Sequence, residues 1–412
     1  MLFKKLKFCR LCKAKNLVSA YKLDDTPIED DYTKNKNKNV LIPLEIMSCK
    51  SCGFKQLSNV VNEKKVYGDF VYATSTSFGL KEHFNINYKL AIKYARYLKK
   101  DDLIVDFGSS GGENLEIFKK HGHKKLIGIE PAKDLAQITK KKKIDVIVDF
   151  FSRTVAKKIK KNYGTAKIVC IYNLLANIDD LDNFFRNLKI FTNKDTTIVF
   201  ESFSLLGIIK KNLFDNIYHE HISYFHIQPL QKYLKKFNWN ILYAEHNQIK
   251  GGSIKLVLGQ DRTIFDAKSI TKSLNEEKKY KLIEHNIFNK IIKRNLAIKK
   301  EINKKLEKFK DKRIAGYGAS CGSTVFLYHY GLTKKFQFLI DDEKRRNNLY
   351  SPRTNLRVYN PTIKLLNKID VIVIVSWRYG KIIYKKYKKL FSKKMHKKIL
   401  WIQVLPKIKI FK

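Results

Sequence analysis

The sequence predicts an α/β protein built from more than one module, and two observations point to this class. Between residues 85 and 260, apolar runs of strand length alternate with segments of helical periodicity, a pattern typical of a mostly parallel sheet with helices on both faces. A second, shorter alternation follows towards the C-terminus. A chain of 412 residues that is 44% hydrophobic is long enough to form two or three cores.

The predicted strands form two groups along the chain. The central runs are LIVDF at 103, LIGIE at 126, DVIV at 145, IVCIY at 168, TIVFE at 197 and SIKLVL at 253. The C-terminal runs are RIAGYG, FQFLID, DVIVIVSW and ILWIQV. Residues 262–311 lie between the groups, and their charge, helical period and low glycine and proline content predict one or two connecting helices.

The formal net charge of +46 could indicate a nucleic-acid or acidic membrane partner. However, lysine is spread along the whole chain, so we interpret the charge as the compositional bias of an A/T-rich genome, and the short lysine runs as solvated faces. The longest apolar runs, such as VIVIV at 371–375, have strand length, and no positive region is followed by a long apolar run near the N-terminus. The sequence therefore predicts a soluble, cytoplasmic protein.

Four of the six cysteines form two pairs, Cys9-x-x-Cys12 and Cys49-x-x-Cys52. Two such pairs supply four thiolates at the spacing of tetrahedral zinc knuckles, and Gly53 suits a knuckle turn that needs positive φ. Disulfides are the alternative, but they require an oxidising compartment, for which the sequence shows no export signal. We predict a structural Zn²⁺ whose four protein ligands leave no open position for chemistry.

The first central strand ends in VDFGSSGGENLEIF, which places Asp106, Gly108 and Gly111 at a strand-to-helix turn. Glycines there allow the backbone to approach a ligand that lies beyond the carboxyl ends of the strands. The turn reads D-x-G-x-x-G and lacks the G-x-G-x-x-G pattern that binds a pyrophosphate. A cofactor without phosphates, S-adenosylmethionine, is therefore favoured over a dinucleotide.

The ends of the next strands carry further candidates for cofactor binding. Glu130 follows about twenty residues on, where a ribose would be held through its two hydroxyls. Asp149 and Phe150 end the third strand, where an adenine would need an amine partner and a stacking face. A structural role for Asp149 as a helix N-cap is the alternative. Asn173, at the end of the fourth strand, completes the set.

The segment NIYHEHISYF at 216–225 concentrates two histidines, a glutamate and two tyrosines. The zinc-protease motif would need a second histidine one helical turn after His219, and that position is Ser223, which excludes it. An extended conformation would place His219 and His221 on one face and Glu220 on the other. The segment is then either a proton-transfer apparatus or a polar strand edge.

A second glycine-rich turn, GYGASCGST from 316, follows the first C-terminal strand, and the acids Asp341 and Asp342 follow the next. Taken alone, this region resembles half of a nucleotide-binding fold. A ligand site and a packing turn account for it equally well.

These motifs, in this order, resemble the zinc-containing sugar C-methyltransferases of deoxysugar biosynthesis. The resemblance covers nearly the whole chain and rests on the two cysteine pairs, VYGDFVYATSTS at 66–77, the glycine turn with Glu130-Pro131, NLLANIDDL at 173, YHEHISYF at 218, GGSIK at 251, and the YGAS and SPRTNLRV segments. It implies a zinc-binding domain, a class I (Rossmann-like) methyltransferase core and a C-terminal Rossmann-like C-methyltransferase domain. The expected ranges are 1–72, 73–261, 262–311 for the connecting helices, and 312–412.

The resemblance also implies an activity, S-adenosylmethionine-dependent methylation of a carbon in a nucleotide-linked keto-deoxysugar. The favoured base is His221, with Tyr218 and Glu220 beside it and Tyr72 reaching in from the zinc module. A histidine of near-neutral pKa suits removal of a proton next to a carbonyl. Glu220 would hold the imidazole tautomer, and a tyrosine hydroxyl would donate a hydrogen bond to the developing oxyanion.

Two positions depart from the family pattern. Asn177 stands where the family usually has a histidine, and an amide can donate a hydrogen bond but cannot shuttle a proton. The family's C-terminal glycine turn commonly contains a lysine, where this chain has Ser320 or Cys321. Both departures weaken the roles that the family assigns to those positions.

Two alternative functions stay open at this point. The positive charge and the zinc knuckle suit an RNA or DNA methyltransferase, but the fourth strand ends in NLLA at 173–176 and lacks the proline-aromatic motif of amino-methylating enzymes. Asn177 also suits a degenerate methyltransferase core that acts as a binding module. We therefore favour a nucleotide-linked sugar as the partner over nucleic acid, and leave the oligomeric state open.

Overall fold

Four β-sheets organise the chain in the computed structural model, which describes residues 2–36, 39–62, 80–260, 264–391 and 399–411. Two small sheets lie in the N-terminal part, a seven-stranded sheet lies in the centre, and a six-stranded sheet lies in the C-terminal part. Among the described residues, no helix combines the length and the apolar composition needed to cross a bilayer.

The N-terminal sheets are antiparallel and small. Their strands are β1 (Phe3–Lys5), β2 (Leu17–Lys22), β3 (Glu45–Cys49), β4 (Lys55–Leu57) and β5 (Asn59–Val61). β1 pairs with β5, and β2, β3 and β4 follow one another in the second sheet. A strand from the centre of the chain, β11 (Ser223–Tyr224), pairs with β4 and completes that sheet.

The central sheet carries seven strands in the order β12-β13-β10-β9-β6-β7-β8. They are β6 (Leu103–Phe107), β7 (Leu126–Ile129), β8 (Asp145–Ile147), β9 (Ala166–Tyr172), β10 (Thr197–Phe203), β12 (Asn240–Asn247) and β13 (Ser253–Gly259). β13 runs antiparallel to both neighbours, and the remaining pairs are parallel. The six predicted central strands are confirmed, whereas the partly exposed β12 was not predicted.

Seven helices accompany this sheet in the part of the chain that the structure describes. They are α1 (Leu80–Tyr94), α2 (Glu113–Lys120), α3 (Lys133–Lys141), α4 (Arg153–Tyr163), α5 (Leu181–Leu188), α6 (Leu205–Lys211) and α7 (Ile227–Lys235). The N-cap of α4 is Ser152, whose Oγ accepts a hydrogen bond from the Val155 amide at 3.3 Å. The alternative that Asp149 caps this helix is therefore wrong.

The order of the central strands reverses between β6 and β9. From β6 the chain continues to β7 and β8 on one side, and then returns to β9 and β10 on the other. In open α/β sheets, ligands bind outside the carboxyl ends of the strands at such a reversal. The turn at 108–112 lies at this point, directly after β6.

The connecting region and the C-terminal part repeat this architecture on a smaller scale. The helices are α8 (Ala267–Lys279), α9 (Asn289–Glu307), α10 (Cys321–His329), α11 (Ile363–Leu366) and α12 (Gly380–Phe391). The strands are β14 (Ile314–Tyr317), β15 (Phe338–Ile340), β16 (Val358–Tyr359), β17 (Val371–Ile374), β18 (Leu400–Gln403) and β19 (Lys409–Phe411). Their order is β16-β15-β14-β17-β18-β19, which is parallel except for β19 and reverses between β14 and β17.

One large apolar cluster joins the three parts of the chain. It contains Phe54 from the N-terminal part, Phe200 and Trp239 from the centre, and Phe326 from the C-terminal part, all of them buried. Burial of apolar surface is the main favourable contribution to folding, so these parts stabilise one another. Their shared packing brings the two strand-order reversals to the same side of the molecule, where they border one cavity.

Candidate active site

A cavity of about 1510 Å³ lies between the three parts of the chain. Its wall includes the turn after β6, the Tyr218–Ile222 segment and the turn after β14. Residues of the N-terminal part, among them Phe3, Asp30 and Val61, close one side. The cavity therefore connects both predicted ligand regions of the sequence.

The turn after β6 forms the first end of this cavity. Gly108, Ser110 and Gly112 adopt left-handed backbone conformations with φ of 61°, 50° and 77°, which lets the chain double back before α2 begins. Gly108 lines the cavity, whereas Gly111 is outside its wall, and a Cβ added there would lie 2.6 Å from Glu113 Oε1. Gly111 thus serves packing within the turn.

Asp106 projects from the end of β6 into this part of the cavity and is buried. Burial raises its pKa to about 8, and the nearby Glu113 and Glu130 carboxyls act in the same direction. A cation bound beside Asp106 would favour the ionised carboxylate. The site is therefore suited to a positively charged group of a ligand.

The other candidates for cofactor binding follow the neighbouring strands. Glu130 accepts hydrogen bonds from the Ser110 and Ala132 amides, each at 2.9 Å, and burial raises its pKa. Asp149 is exposed and accepts a hydrogen bond from the Phe150 amide at 2.8 Å. Asp106, Gly108, Glu130, Asp149, Phe150 and Asn173 all line the cavity. Their contacts with a cofactor stay predictions.

His221 lies between two aromatic rings in the middle of the cavity wall. Its ring centroid is 3.9 Å from that of Phe203 and 3.8 Å from that of Tyr218. Nδ1 is 2.8 Å from the carbonyl oxygen of Asn216. Because a carbonyl can only accept, Nδ1 carries the proton and Nε2 keeps the lone pair of a base. Burial lowers the pKa of His221 to about 3, so the imidazole is neutral at physiological pH.

The two histidines of this segment do not share a face. Tyr218 to His221 form a turn closed by a hydrogen bond from the His221 amide to the Tyr218 carbonyl at 2.9 Å. His219 points away to the N-terminal part, where its Nδ1 is 2.8 Å from Glu29 Oε1. Burial alone would lower the pKa of His219, but the Glu29 carboxylate raises it above its ordinary value. The predicted extended conformation is therefore wrong, because each side chain of the turn finds a different partner.

Glu220 is buried beside the second glycine-rich turn. The Cys321 thiol donates to its Oε1 at 3.5 Å. Burial and the neighbouring acids Asp30 and Glu29 raise its pKa to about 8, so a large share of it is protonated at neutral pH. The Asn216 carbonyl, and not Glu220, holds the His221 tautomer in this arrangement.

Of the other predicted catalytic residues, Asn177 lines the cavity and ends the short 3-10 turn Leu175–Asn177. Its Oδ1 is buried without a hydrogen-bond partner among the described residues. Tyr218 also lines the cavity. Tyr72 lies outside the described residues.

A buried pair that the sequence did not suggest lies near the end of β10. His83 Nε2 is 2.6 Å from Glu201 Oε2, and the amides of Asn87 and Asn247 also donate to this carboxylate. His83, Asn87 and Glu201 line the cavity. Glu201 could have been found as an acid at the end of a predicted strand, but nothing local marks His83, which is 118 residues away.

Basic side chains border the C-terminal end of the cavity. They are Lys250, Lys344, Arg346, Arg378 and Lys386. Arg346 pairs with Asp30 at 2.6 Å and Arg378 with Asp215 at 3.2 Å, so acids of the other parts hold their guanidinium groups in place. Acids line the same end, among them Asp341, Asp342 and Glu343, and Lys386 pairs with Asp342 at 2.6 Å. This end therefore offers basic groups to an anionic ligand without being uniformly positive.

The turn after β14 is closely packed and also lines the cavity, and its role as a ligand site stays a prediction. Gly318 has φ of 124°, and a Cβ there would lie 2.8 Å from the Ser376 amide nitrogen, so close packing requires glycine. Ser320, Cys321 and Gly322 line the cavity directly. The turn therefore packs against β17 and contributes to the wall of the site.

The four paired cysteines converge at the other end of the N-terminal sheet. Their sulfur atoms all lie within 4.8 Å of one another, with Cys9 to Cys52 and Cys12 to Cys49 at 3.6 Å. Four thiolates at the Zn–S bond length of about 2.3 Å are about 3.8 Å apart in a tetrahedron, whereas a disulfide needs about 2.05 Å. The cluster fits Zn²⁺ with its coordination filled by protein.

Comparison with domain families accounts for most of the chain. A putative zinc binding domain matches residues 9–67, a methyltransferase domain matches 83–244, and a C-methyltransferase C-terminal domain matches 248–403. The chain therefore combines a methyltransferase domain with a putative zinc binding domain and a C-methyltransferase C-terminal domain. The predicted family, fold class and S-adenosylmethionine dependence are thereby confirmed, together with a zinc-binding domain whose four cysteines cluster.

The chain is also similar to individual proteins. It is 22% identical to C-methyltransferase NovU of Streptomyces niveus over 379 residues, which is 90% of each chain. Solved structures similar to it include a SAM-dependent methyltransferase from Anabaena variabilis, at 14% identity and a TM-score of 0.35 over 43% of this chain and 86% of that one. Another is magnesium protoporphyrin IX methyltransferase from Synechocystis, at 11% identity and a TM-score of 0.36 over 48% and 93%.

Proposed function

We propose that this enzyme transfers the methyl group of S-adenosylmethionine to a carbon of a nucleotide-linked keto-deoxysugar, and that His221 is the base. One observation carries the proposal. The His221 imidazole faces the same cavity as the glycine turn at Gly108, in the tautomer that leaves Nε2 free to accept a proton. The zinc ion has a structural role, since four thiolates fill its coordination.

The chemistry requires a base because carbon is a poor nucleophile. Removal of a proton next to a carbonyl spreads the negative charge onto oxygen, and the resulting enolate carbon can attack the cofactor's methyl group. His221 is already neutral, so all of it can accept a proton at physiological pH. The low pKa in the empty cavity makes it a weak base there, but the developing enolate favours the imidazolium form.

Groups near His221 can stabilise the enolate oxygen. The Asn177 amide and the protonated carboxyl of Glu220 both line the cavity and can donate hydrogen bonds. Tyr218 packs against the imidazole at an interplanar angle of 33°. A well-placed donor to an oxyanion contributes about 3 kcal/mol to lowering the barrier.

The size and charge of the cavity support a substrate with phosphate groups. A pocket for one small molecule typically encloses about 300–1,000 Å³. The cavity measures about 1510 Å³, which accommodates a second ligand beside the cofactor. Arg346, Arg378 and Lys250 line its far end together with acids, and their N–H groups could donate hydrogen bonds to a diphosphate. The similarity to a C-methyltransferase supports carbon as the acceptor.

The test uses methyl-labelled S-adenosylmethionine with a panel of nucleoside diphosphate keto-deoxysugars and with RNA. We expect label in a sugar, bound to carbon. The His221→Asn variant should lower kcat by at least about 10²-fold, because positioned general bases contribute 10²–10⁴-fold. Its Kd for S-adenosylhomocysteine should stay within about twofold of the wild type.

Two results would contradict the proposal. Label in RNA and in none of the sugars would favour the nucleic-acid alternative. An equal loss of turnover and of cofactor binding in His221→Asn would mean that His221 holds the cofactor and is not the base.

A further inference from the structure

Arg10 lies inside the first zinc knuckle, between Cys9 and Cys12, and is buried with 6% of its surface exposed. Its backbone amide donates to Gln56 Oε1 at 2.8 Å, within the same N-terminal sheet. The side chain leaves this module and enters the methyltransferase domain. A buried guanidinium needs partners for its donors, and here the partners belong to that domain.

The guanidinium binds two separate segments there. Nε donates to Ser223 Oγ at 3.0 Å, and Nη2 donates to the carbonyl oxygen of Ile178. Nη1 lies 3.6 Å from Asp179 Oδ1, which neutralises the buried charge. The planar guanidinium group has fixed geometry and can donate to two acceptors at once. A lysine ammonium group on its flexible side chain does this less well.

The two segments carry residues that face the cavity. Ile178 follows Asn177, and Ser223 stands two positions after His221. The segments also contact each other, since the Ile222 amide donates to the Ala176 carbonyl at 2.9 Å. Arg10 therefore bridges the two segments at the point where they meet.

We infer that Arg10 is a positioning residue, which fixes His221 relative to the cofactor site and makes catalysis depend on the zinc knuckle. The inference rests on the proposed role of His221 as the base. The Zn²⁺ ion would hold Cys9 and Cys12, these would hold Arg10, and Arg10 would hold the segments of Ile178 and Ser223. Zn²⁺ would then affect the rate of turnover through these contacts, although it has no open coordination position for the substrate.

The first test compares kcat and KM in Arg10→Gln, Arg10→Lys and Lys15→Gln. Lys15 is an exposed residue of the same module and serves as the matched control. A misplacement of about 1 Å in an active site can cost about 10²-fold. We expect kcat to fall by about 10- to 10²-fold in Arg10→Gln and less in Arg10→Lys. The KM for the sugar and the Kd for S-adenosylhomocysteine should stay within about threefold of the wild type, and the zinc content should be unchanged.

Ser223→Ala keeps the test decisive if Arg10→Gln loses its metal. This change removes the acceptor of Arg10 Nε and leaves the knuckle untouched. We expect a smaller fall in kcat, with full zinc content. Unchanged kcat in Ser223→Ala and Arg10→Lys, or a fall in Arg10→Gln that only parallels loss of zinc, would overturn the inference.

A measurement that does not depend on enzyme activity can test this inference separately from the proposed function. In protein labelled with ¹⁵N-histidine, the imidazole signals of the ten histidines report their tautomers, and His221→Asn identifies the signal of His221. Arg10→Gln should shift that signal or broaden it, and Lys15→Gln should not. An unchanged His221 signal would refute the positioning role, whether or not the sugar panel yields product.

Discussion

Cofactor affinity is expected to rise with pH, because Asp106 resists ionisation in the empty site. This carboxyl is 3% exposed, and burial raises its pKa to about 8. S-adenosylmethionine and S-adenosylhomocysteine both carry an ammonium group, which favours the ionised carboxylate. If Asp106 receives this group, binding releases a proton at any pH below about 8, and the cost of that release grows as the pH falls.

The size of the effect follows from the ionised fraction of Asp106. With a pKa of about 8, about 1% of the empty protein carries the ionised carboxylate at pH 6 and about half at pH 8. If only this form binds, the Kd falls about 50-fold between these values. That ratio corresponds to about 2 kcal/mol of binding free energy.

Isothermal titration calorimetry with S-adenosylhomocysteine at pH 6, 7 and 8 measures this directly. Two buffers of different ionisation enthalpy would show the released proton. Asp106→Asn should bind more weakly at pH 8 and lose the pH dependence, while the exposed Asp101→Asn should keep it. A wild-type Kd that does not vary with pH, or an equal slope in Asp106→Asn, would refute this reasoning.

Two further changes test the metal site and the packing around the GGSIK segment. Cys52→Ser should release Zn²⁺ and lower the melting temperature, since structural zinc contributes about 10–16 kcal/mol of binding free energy. The control variant Cys321→Ser should keep one metal per chain. Full zinc content in Cys52→Ser, measured by metal analysis, would exclude the four-thiolate site. Gly252→Ala should lower the free energy of unfolding by about 3 kcal/mol or more, because the added Cβ would lie 2.8 Å from the Gly207 Cα. The control variant Gly164→Ala should lower it less, because Gly164 also has positive φ but no atom lies near its added Cβ, so only backbone strain contributes. Equal urea midpoints for the two glycine variants would contradict that explanation.

The central strands and the glycine turn after β6 could be predicted from sequence because their signals are local. Parallel strands buried on both faces appear as continuous apolar runs, as in LIVDF and TIVFE. The D-x-G-x-x-G turn follows directly after such a run. β12 was missed because it is partly exposed and contains polar residues, so it lacks that signal.

The conformation of the His221 segment could not be predicted in the same way. Alternation of polar residues suggested a strand, but the turn is shaped by partners far away in the sequence. Glu29 attracts His219, while Phe203 and Tyr218 enclose the His221 ring. The pKa of His221 is lowered mainly by this burial, which the local sequence does not reveal.

The contacts of Arg10 were hidden for a related reason. Cysteine spacing identifies a zinc knuckle, but it does not tell what the residues between the cysteines touch. Arg10 reaches Ile178 and Ser223, which lie in another domain. Only tertiary packing brings these residues together.

The pairing of β11 with β4 has a consequence for synthesis of the chain. The sheet that begins with β2 lacks its outermost strand until the ribosome has produced Ser223 and Tyr224, well after most of the methyltransferase domain has emerged. The cysteines are available for metal long before that moment. Nascent chains of this enzyme would therefore bind Zn²⁺ early and complete the surrounding sheet late. His221 lies two residues before β11, so it would reach its final position in that same late step.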